Sequence, residues 1–264
     1  MDTIVIASTE ADAAAVTAVE QHHAQLVGAL SMRVDAALSA VARGDAAAAR
    51  AALVALAGWC QAELVPHAAA EEAVLYPAAR ENPEGRLLID ALLAEHGVLL
   101  GLVRELTTVH DVVRGAAAAA ALRVVFDSHQ AKENTLVLPL LAADPDVPLA
   151  DLLAGMHDAL ETAAPATAAE DAAVDDHACG CGGHDDPGYP ELDARAVPHA
   201  IRHATVFGAL DAVRPGGGLI LVAPHDPLPL LAQLERRSPG VFEVGYLQRG
   251  PEAWRLTLVR RAAA

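Results

Sequence analysis

PHAAAEEAVLYP at 66–77 and SHQAKENTLVLP at 128–139 are the stretches that decide the fold. Aligned on their histidines, each places a glutamate four residues later and a proline ten residues later: His67, Glu71 and Pro77 in the first, His129, Glu133 and Pro139 in the second. A spacing of four puts two side chains on one face of a helix, so each pair presents an imidazole and a carboxylate to a single point. Upstream of each lies a further histidine: His22, with His23 beside it, in VEQHHAQLVGAL (19–30), and His96 in LLAEHGVLLGLV (92–103). Set on His22 and His96, both stretches have a leucine four residues on and an acid one or two residues before. The chain thus gives His, then HxxxE, twice. Two such hairpins packed antiparallel about a pseudo-twofold axis would bring these groups into one central layer.

Apolar periodicity predicts long helices over about 10–43, 46–81, 84–114 and 116–142, with a short appended helix at 149–163. Gly44 stops the first and Asp45 caps the second, ENPEG separates the second from the third, Gly115 divides the third from the fourth, and ADPDVP closes the fourth. Long helices with short connections favour an all-α up-and-down four-helix bundle. The composition agrees: 53% of residues are hydrophobic and only 3% aromatic, a palette suited to close helix packing. Pro66 falls inside the second helix, where a proline costs roughly 3 kcal/mol, and predicts a kink beside His67.

Charge marks a boundary. Residues 1–190 carry 9 Lys+Arg against 28 Asp+Glu, and residues 191–264 carry 9 Arg against 7 acids. So acidic a surface repels phosphate backbones and anionic lipid, which argues against nucleic acid and membrane partners. MDTIVIASTE lacks a basic n-region, and no run of transmembrane length is free of charge, so a cytoplasmic location is expected. Three cysteines make no disulfide framework. Residues 164–190 read as a mobile linker whose HACGCGGH gathers His177, Cys179, Cys181 and His184, a composition able to capture a soft ion or to serve redox chemistry. From 191 to 264 the pattern becomes β-α-β-α-β-β, a small two-layer α/β sandwich. The expected organisation is a helical bundle over 1–163, the linker over 164–190 and the α/β unit over 191–264.

Imidazole and carboxylate without thiolate suit iron, manganese or zinc, and carboxylates from facing helices can bridge two ions. Structural zinc would usually recruit cysteine. Cys60 lies seven residues before His67, roughly 10 Å along the helix, and reads as a buried small hydrophobe. His157 and Glu161 repeat the spacing on the appended helix and read as a surface pair. Glu72 and Tyr76 could stand beside the site as partners of its ligands, but a surface or packing role is the favoured reading for both.

The ordered set His, HxxxE, His, HxxxE over roughly residues 15–142 resembles the hemerythrin-like domains with the HHE cation-binding pattern. That resemblance implies a non-haem di-iron site, two Fe ions with Mn or Zn as alternatives, held by His22, His67, Glu71, His96, His129 and Glu133, with His23 as a substitute or extra ligand. Oxygen-carrying hemerythrins have two histidines four apart on the third helix, whereas this chain has Leu100, and His110 lies about 21 Å along the helix from His96. Fewer ligands leave open coordination positions, which favours a site that reacts with or senses O2, nitric oxide or peroxide over a plain oxygen carrier.

Residues 191–262 resemble an uncharacterised family of small domains often fused to such bundles, with a fold like the TusA/SirA sulfur carriers. Sulfur carriers place a cysteine before the proline that opens the first helix, and RAVPH here has none, so persulfide transfer at that position is in doubt. His199, Arg202 and His203 share a face of the first helix and His225 with Asp226 opens the second; they could bind an anion or ligand at the helix N-termini, and a solvated face is the favoured reading. The sequence thus favours a di-iron protein that binds or senses a small diatomic ligand or oxidant, its α/β unit relaying a signal or docking a protein partner. A nitric oxide or peroxide reductase, an iron donor for iron–sulfur cluster repair, and a metal-free interaction module are the rivals.

Overall fold

The computed structural model describes residues 7–163, 188–199 and 201–262. Helix α1 (Glu10–Ala42) begins where the Thr9 hydroxyl accepts the Asp12 amide, and ends at Gly44, whose positive φ of 73° suits glycine. Asp45 then caps α2 (Ala46–Glu81) by accepting the Ala48 amide. Helix α3 (Gly85–Thr108) and helix α4 (112–142) follow, and α5 (Leu149–Ala163) is appended.

The break between α3 and α4 lies at 109–111, not at Gly115. Asp111 Oδ1 accepts the amides of Val113 and Arg114, satisfying two donors that the first turn of a helix leaves without partners. Gly115 is an ordinary helical position pressed against α2, where a Cβ would come within 2.6 Å of Leu53 Cδ1. We expect Asp111→Ala to lower stability by about 1 kcal/mol, read from urea unfolding. An unchanged midpoint would show that water caps this helix as well as Asp111 does.

The kink expected at Pro66 is a π turn, and it occurs three times. Within α2, Cys60–Leu64 and Glu71–Leu75 are π-helical; within α4, Glu133–Val137 is. In each, the residue before a proline donates its amide five residues back: Val65 to Cys60 O, Tyr76 to Glu71 O, Leu138 to Glu133 O. A proline offers no N–H and crowds the carbonyl four residues before it, and the wider turn relieves that crowding without ending the helix. Two of the three begin at the glutamates of the repeated motif.

Helix α1 packs on α2 and α4, and α3 packs on α4 and α2. Apolar clusters occupy both ends of the bundle. One gathers Leu26, Leu30, Leu64, Leu99 and Phe126; the other gathers Val16, Leu75, Leu92, Val137 and Leu138. Every long helix therefore runs from one apolar cluster to the other through a short polar stretch. Helix α2 is long and apolar enough to cross a membrane by length and composition, yet it sends His67 and Glu71 into the bundle interior. Cys60 is fully buried in the first cluster, and burial pushes its thiol up to about 12, fitting its reading as a small hydrophobe.

The C-terminal unit has β1 (Glu191–Asp193), α6 (Arg202–Asp211), β2 (Gly218–Ala223), α7 (Leu228–Arg237), β3 (Phe242–Arg249) and β4 (Trp254–Arg260). The sheet order is β1-β2-β4-β3, with β1 and β2 parallel and the other pairs antiparallel. GLILVA is continuously apolar because β2 is central and buried along its whole length. Leu219, Leu221 and Leu258 meet Val206, Leu210, Leu230 and Leu234 in a core that also takes in Met32 of α1. That residue belongs to the bundle. The α/β unit is docked on α1 rather than merely tethered to it, with α6 lying along α1. Residues 164–187, with His177, Cys179, Cys181 and His184, and the side chains of His157 and Glu161, lie outside the described residues.

Candidate metal centre

The polar layer is built by α1, α2, α3 and α4, each of which contributes a buried histidine: His23, His67, His96 and His129. Glu71 and Glu133 join them, equally buried. The donor atoms fall into two groups. His23, His67 and Glu71 form one and Glu71, His96, His129 and Glu133 the other, with the donors in each within 4.8 Å of one another. Glu71 belongs to both. Its Oε1 lies 2.9 Å from His67 Nε2 and 3.5 Å from His23 Nε2, while its Oε2 lies 3.5 Å from His96 Nε2.

Partners on the far side of the rings fix which nitrogen faces inward. A carboxylate or amide oxygen can only accept, so His96 Nδ1–H donates to Glu72 Oε1 (2.7 Å), His129 Nδ1–H to Glu95 Oε2 (3.1 Å) and His23 Nδ1–H to Asn134 Oδ1 (2.7 Å). Each neutral ring then turns a bare Nε2 lone pair into the layer, the arrangement by which histidine is prepared as a ligand. His96 Nε2 and His129 Nε2 stand only 3.0 Å apart, a repulsive contact unless a proton or cation lies there.

The remaining polar atoms tell the same story. His23 Nε2, both ring nitrogens of His67 and both oxygens of Glu71 are buried without a hydrogen-bond partner among the described residues. His67 Nε2 and Glu71 Oε1 are close, but neither is aligned on the other as a donor to an acceptor. Orphaned buried donors and acceptors cost about 1–3 kcal/mol each, and several converging on one volume fit a cation that they ligate together. Burial alone would raise the Glu71 carboxyl, yet His67 with His23 and His96 holds it well below the usual range, so it is an anion. Burial opposes charge on His23 and His96 too, but Glu71 and Glu133, joined by Asn134 at His23 and by Glu72 at His96, outweigh it and raise each ring above its ordinary value.

Tyr76 closes the layer. Its hydroxyl donates to Glu133 Oε1 at 2.7 Å and lies 3.3 Å from Nε2 of both His96 and His129. Burial first, then the Glu133 and Glu71 charges, push this phenol far above its ordinary range and keep it protonated. Gln130 Nε2 donates to the other oxygen of Glu133. Of the two roles the sequence leaves open for Tyr76 and Glu72, the one beside the ligands is the one the structure shows; Glu95, the acid before His96, is a further partner, and no spacing in the sequence marks Asn134 or Gln130.

The partners follow a rule. Each sits one residue from an inward-facing group, about 100° round its helix, and reaches the histidine of the next helix. Glu72 of α2 holds His96 of α3, Glu95 of α3 holds His129 of α4, and Asn134 of α4 holds His23 of α1. His22 occupies the corresponding place on α1, preceding His23 as Glu95 precedes His96, but it meets His67 through a ring contact, with centroids 5.1 Å apart, and the His67 nitrogens stay without a hydrogen-bond partner among the described residues. The structure accordingly brings His23 into the cluster and leaves His22, half-buried, at its flank.

An apolar cavity of about 20 Å³ touches His67, Glu71, His96 and His129 and is walled by Leu99, Leu100, Val103 and Phe126. Elsewhere, His199, Arg202, His203 and His225 line a separate cavity of about 70 Å³ in the α/β unit.

Residues 14–141 match the family model of the hemerythrin HHE cation binding domain. The bundle belongs to that family. Residues 191–260 match a second model, described as an uncharacterized conserved protein (DUF2249). No curated protein and no solved structure matches the chain. The likeness of the α/β unit to the sulfur carriers therefore gains no support from known structures. The hemerythrin domain of this chain has its histidines and glutamates positioned for metal binding.

Proposed function

We propose that the hemerythrin domain holds two metal ions, iron foremost with manganese or zinc as alternatives, and that it binds or senses a small diatomic ligand, O2 or nitric oxide. His23, His67 and Glu71 hold one ion and His96, His129 and Glu133 the other, with Glu71 shared between the two groups. Iron in such a donor set supplies redox change and coordination positions for a small ligand. The observation that carries the ligand class is the cavity of about 20 Å³: it abuts three of the histidines and has room for little more than one water-sized molecule. Its leucine, valine and phenylalanine walls suit an uncharged diatomic over a polar substrate. Leu100, where an oxygen carrier has histidine, is part of that wall, so the position that would complete coordination instead bounds the ligand space. A cytoplasmic setting suits the buried free thiol of Cys60.

The test is anaerobic purification, metal analysis, and titration of the reduced protein with nitric oxide and with O2 while the visible spectrum is followed. A single saturable adduct supports a binder or sensor. Repeated turnover of nitric oxide or peroxide would replace this reading with a reductase, and loss of iron to an acceptor protein would replace it with an iron donor. Failure to retain iron, manganese or zinc would leave a metal-free interaction module. Leu100→Phe should leave metal content unchanged and slow nitric oxide association by roughly tenfold, because it fills the apolar cavity that abuts the histidines. Unchanged kinetics would show that ligands reach the site by another route.

A further inference from the structure

Between the bundle and the α/β unit lies a cleft of about 660 Å³, far larger than the cavity at the metal layer. One wall is α1 and α2, where Ala36 and Ala52 leave the floor open; the other is Tyr189, Asp211 and the Arg214–Gly218 turn. Four arginines converge on it: Arg33 of α1 and Arg43 just past its end, with Arg214 and Arg260 from the α/β unit. In a chain with a net charge of −17 and 18 Lys+Arg in all, this is a pronounced gathering of positive charge.

Asp211 is the one carboxylate among the described residues that line the cleft. Among the described residues none of the four forms an ion pair, although seven other ion pairs of Lys or Arg with Asp or Glu are present. Asp211, the acid on the wall, is already held by Arg237 at 2.7 Å. Arg33 donates one Nη to Ala29 O and lies over the Trp59 ring, and Arg260 donates one Nη to Val213 O. Those bonds orient both groups and leave most of their N–H donors unused. Burial first, then repulsion from Arg214 across the cleft, brings Arg33 down to about 10, although Cys60 and Glu63 act the other way. Like charges held close without a counter-charge are destabilising, and an anion placed between them removes that penalty.

We infer that this cleft is a binding site for a phosphorylated organic anion with a planar body, the nucleotide class. Guanidinium groups match phosphate oxygens with paired N–H donors. The volume lies within the roughly 300–1,000 Å³ of small-molecule sites, more than inorganic phosphate fills. The alanine floor and the Tyr189 ring, packed so closely over Gly218 that a Cβ there would lie 2.6 Å from it, supply apolar surface for a base. Both units contribute arginines, so the ligand would bridge them.

The experiment is calorimetric titration of the full metal-loaded chain with ATP, inorganic triphosphate and adenosine. Saturable binding is expected for ATP, weaker binding for triphosphate, and none for adenosine. Arg43→Glu/Arg214→Glu replaces two exposed side chains and should weaken ATP by more than about tenfold with metal content and melting temperature unchanged. His199→Gln/His203→Gln in the other cavity should change nothing. Absence of saturable binding, or ATP affinity unaltered in the arginine variant, would overturn the site. Equal affinity for ATP and triphosphate would overturn the nucleotide class.

Discussion

Reconstituted with iron, the Glu71→Ala chain should retain almost none of the metal held by the parent, whereas His67→Ala should retain roughly half. The difference follows from where the donors lie. Glu71 belongs to both groups, one oxygen facing His67 and His23 and the other facing His96. Removing it leaves two histidines on one side and His96, His129 and Glu133 on the other, with no carboxylate joining them. Removing His67 spares all four donors of the second group. Structural metal sites can contribute on the order of 10 kcal/mol to the folded state at neutral pH, so the loss should also appear in stability. A chelator should lower the melting temperature of the parent steeply and that of Glu71→Ala hardly at all. Elemental analysis beside paired thermal melts reads both effects. Equal metal in the two variants would mean that Glu71 is not shared, and full metal in both would place the ions elsewhere.

Local and tertiary signals explain what could be read in the sequence. The long helices and His67, Glu71, His96, His129 and Glu133 were legible because period 3.6 and the HxxxE spacing are written within single helices. The choice between His22 and His23 was not: neighbours on a helix differ by about 100°, and only the packing of α1 against α2 and α4 selects which one faces inward. Gly115 looked like a break because isolated glycines often are, yet its lack of a side chain answers Leu53 on another helix. The prolines were a stronger signal than a kink at Pro66 alone. Pro66, Pro77 and Pro139 each follow the start of a π turn by six residues, and in two turns that start is a glutamate of the layer. Hidden altogether was the docking of the α/β unit, since contacts between residues far apart in a sequence leave no period in it.

That docking sets up the second large effect. Gly28 of α1 and Gly208 of α6 sit where the two helices meet almost backbone to backbone. A Cβ on Gly28 would stand 2.0 Å from Thr205 O, and one on Gly208 would stand 2.1 Å from Gln25 O. Both obstacles are main-chain atoms, so no side-chain rotation relieves them and the helices must separate. In an ordinary helix interior, alanine for glycine is favourable by about 0.5–1 kcal/mol. Gly58, in α2 with nothing within 4 Å of its would-be Cβ, should show that gain. Gly28→Ala and Gly208→Ala should move the opposite way, by about 2 kcal/mol or more, as expected for forced overpacking. Gly208→Leu should undock the unit, pulling Met32 out of the core it shares with Phe207 and Leu210 and splitting one unfolding transition into two. Metal content should hold in all of these variants, because the donors of the layer come from α1 to α4 and none comes from α6. Urea unfolding followed by fluorescence, with metal analysis alongside, separates the outcomes: stabilisation by alanine at Gly28 and Gly208 would show that the two units are not in contact in solution. Because Gln25 lies only two residues beyond His23 on the same helix, loss of docking with the metal retained would also leave a protein in which any influence of the α/β unit on ligand binding can be measured by its absence.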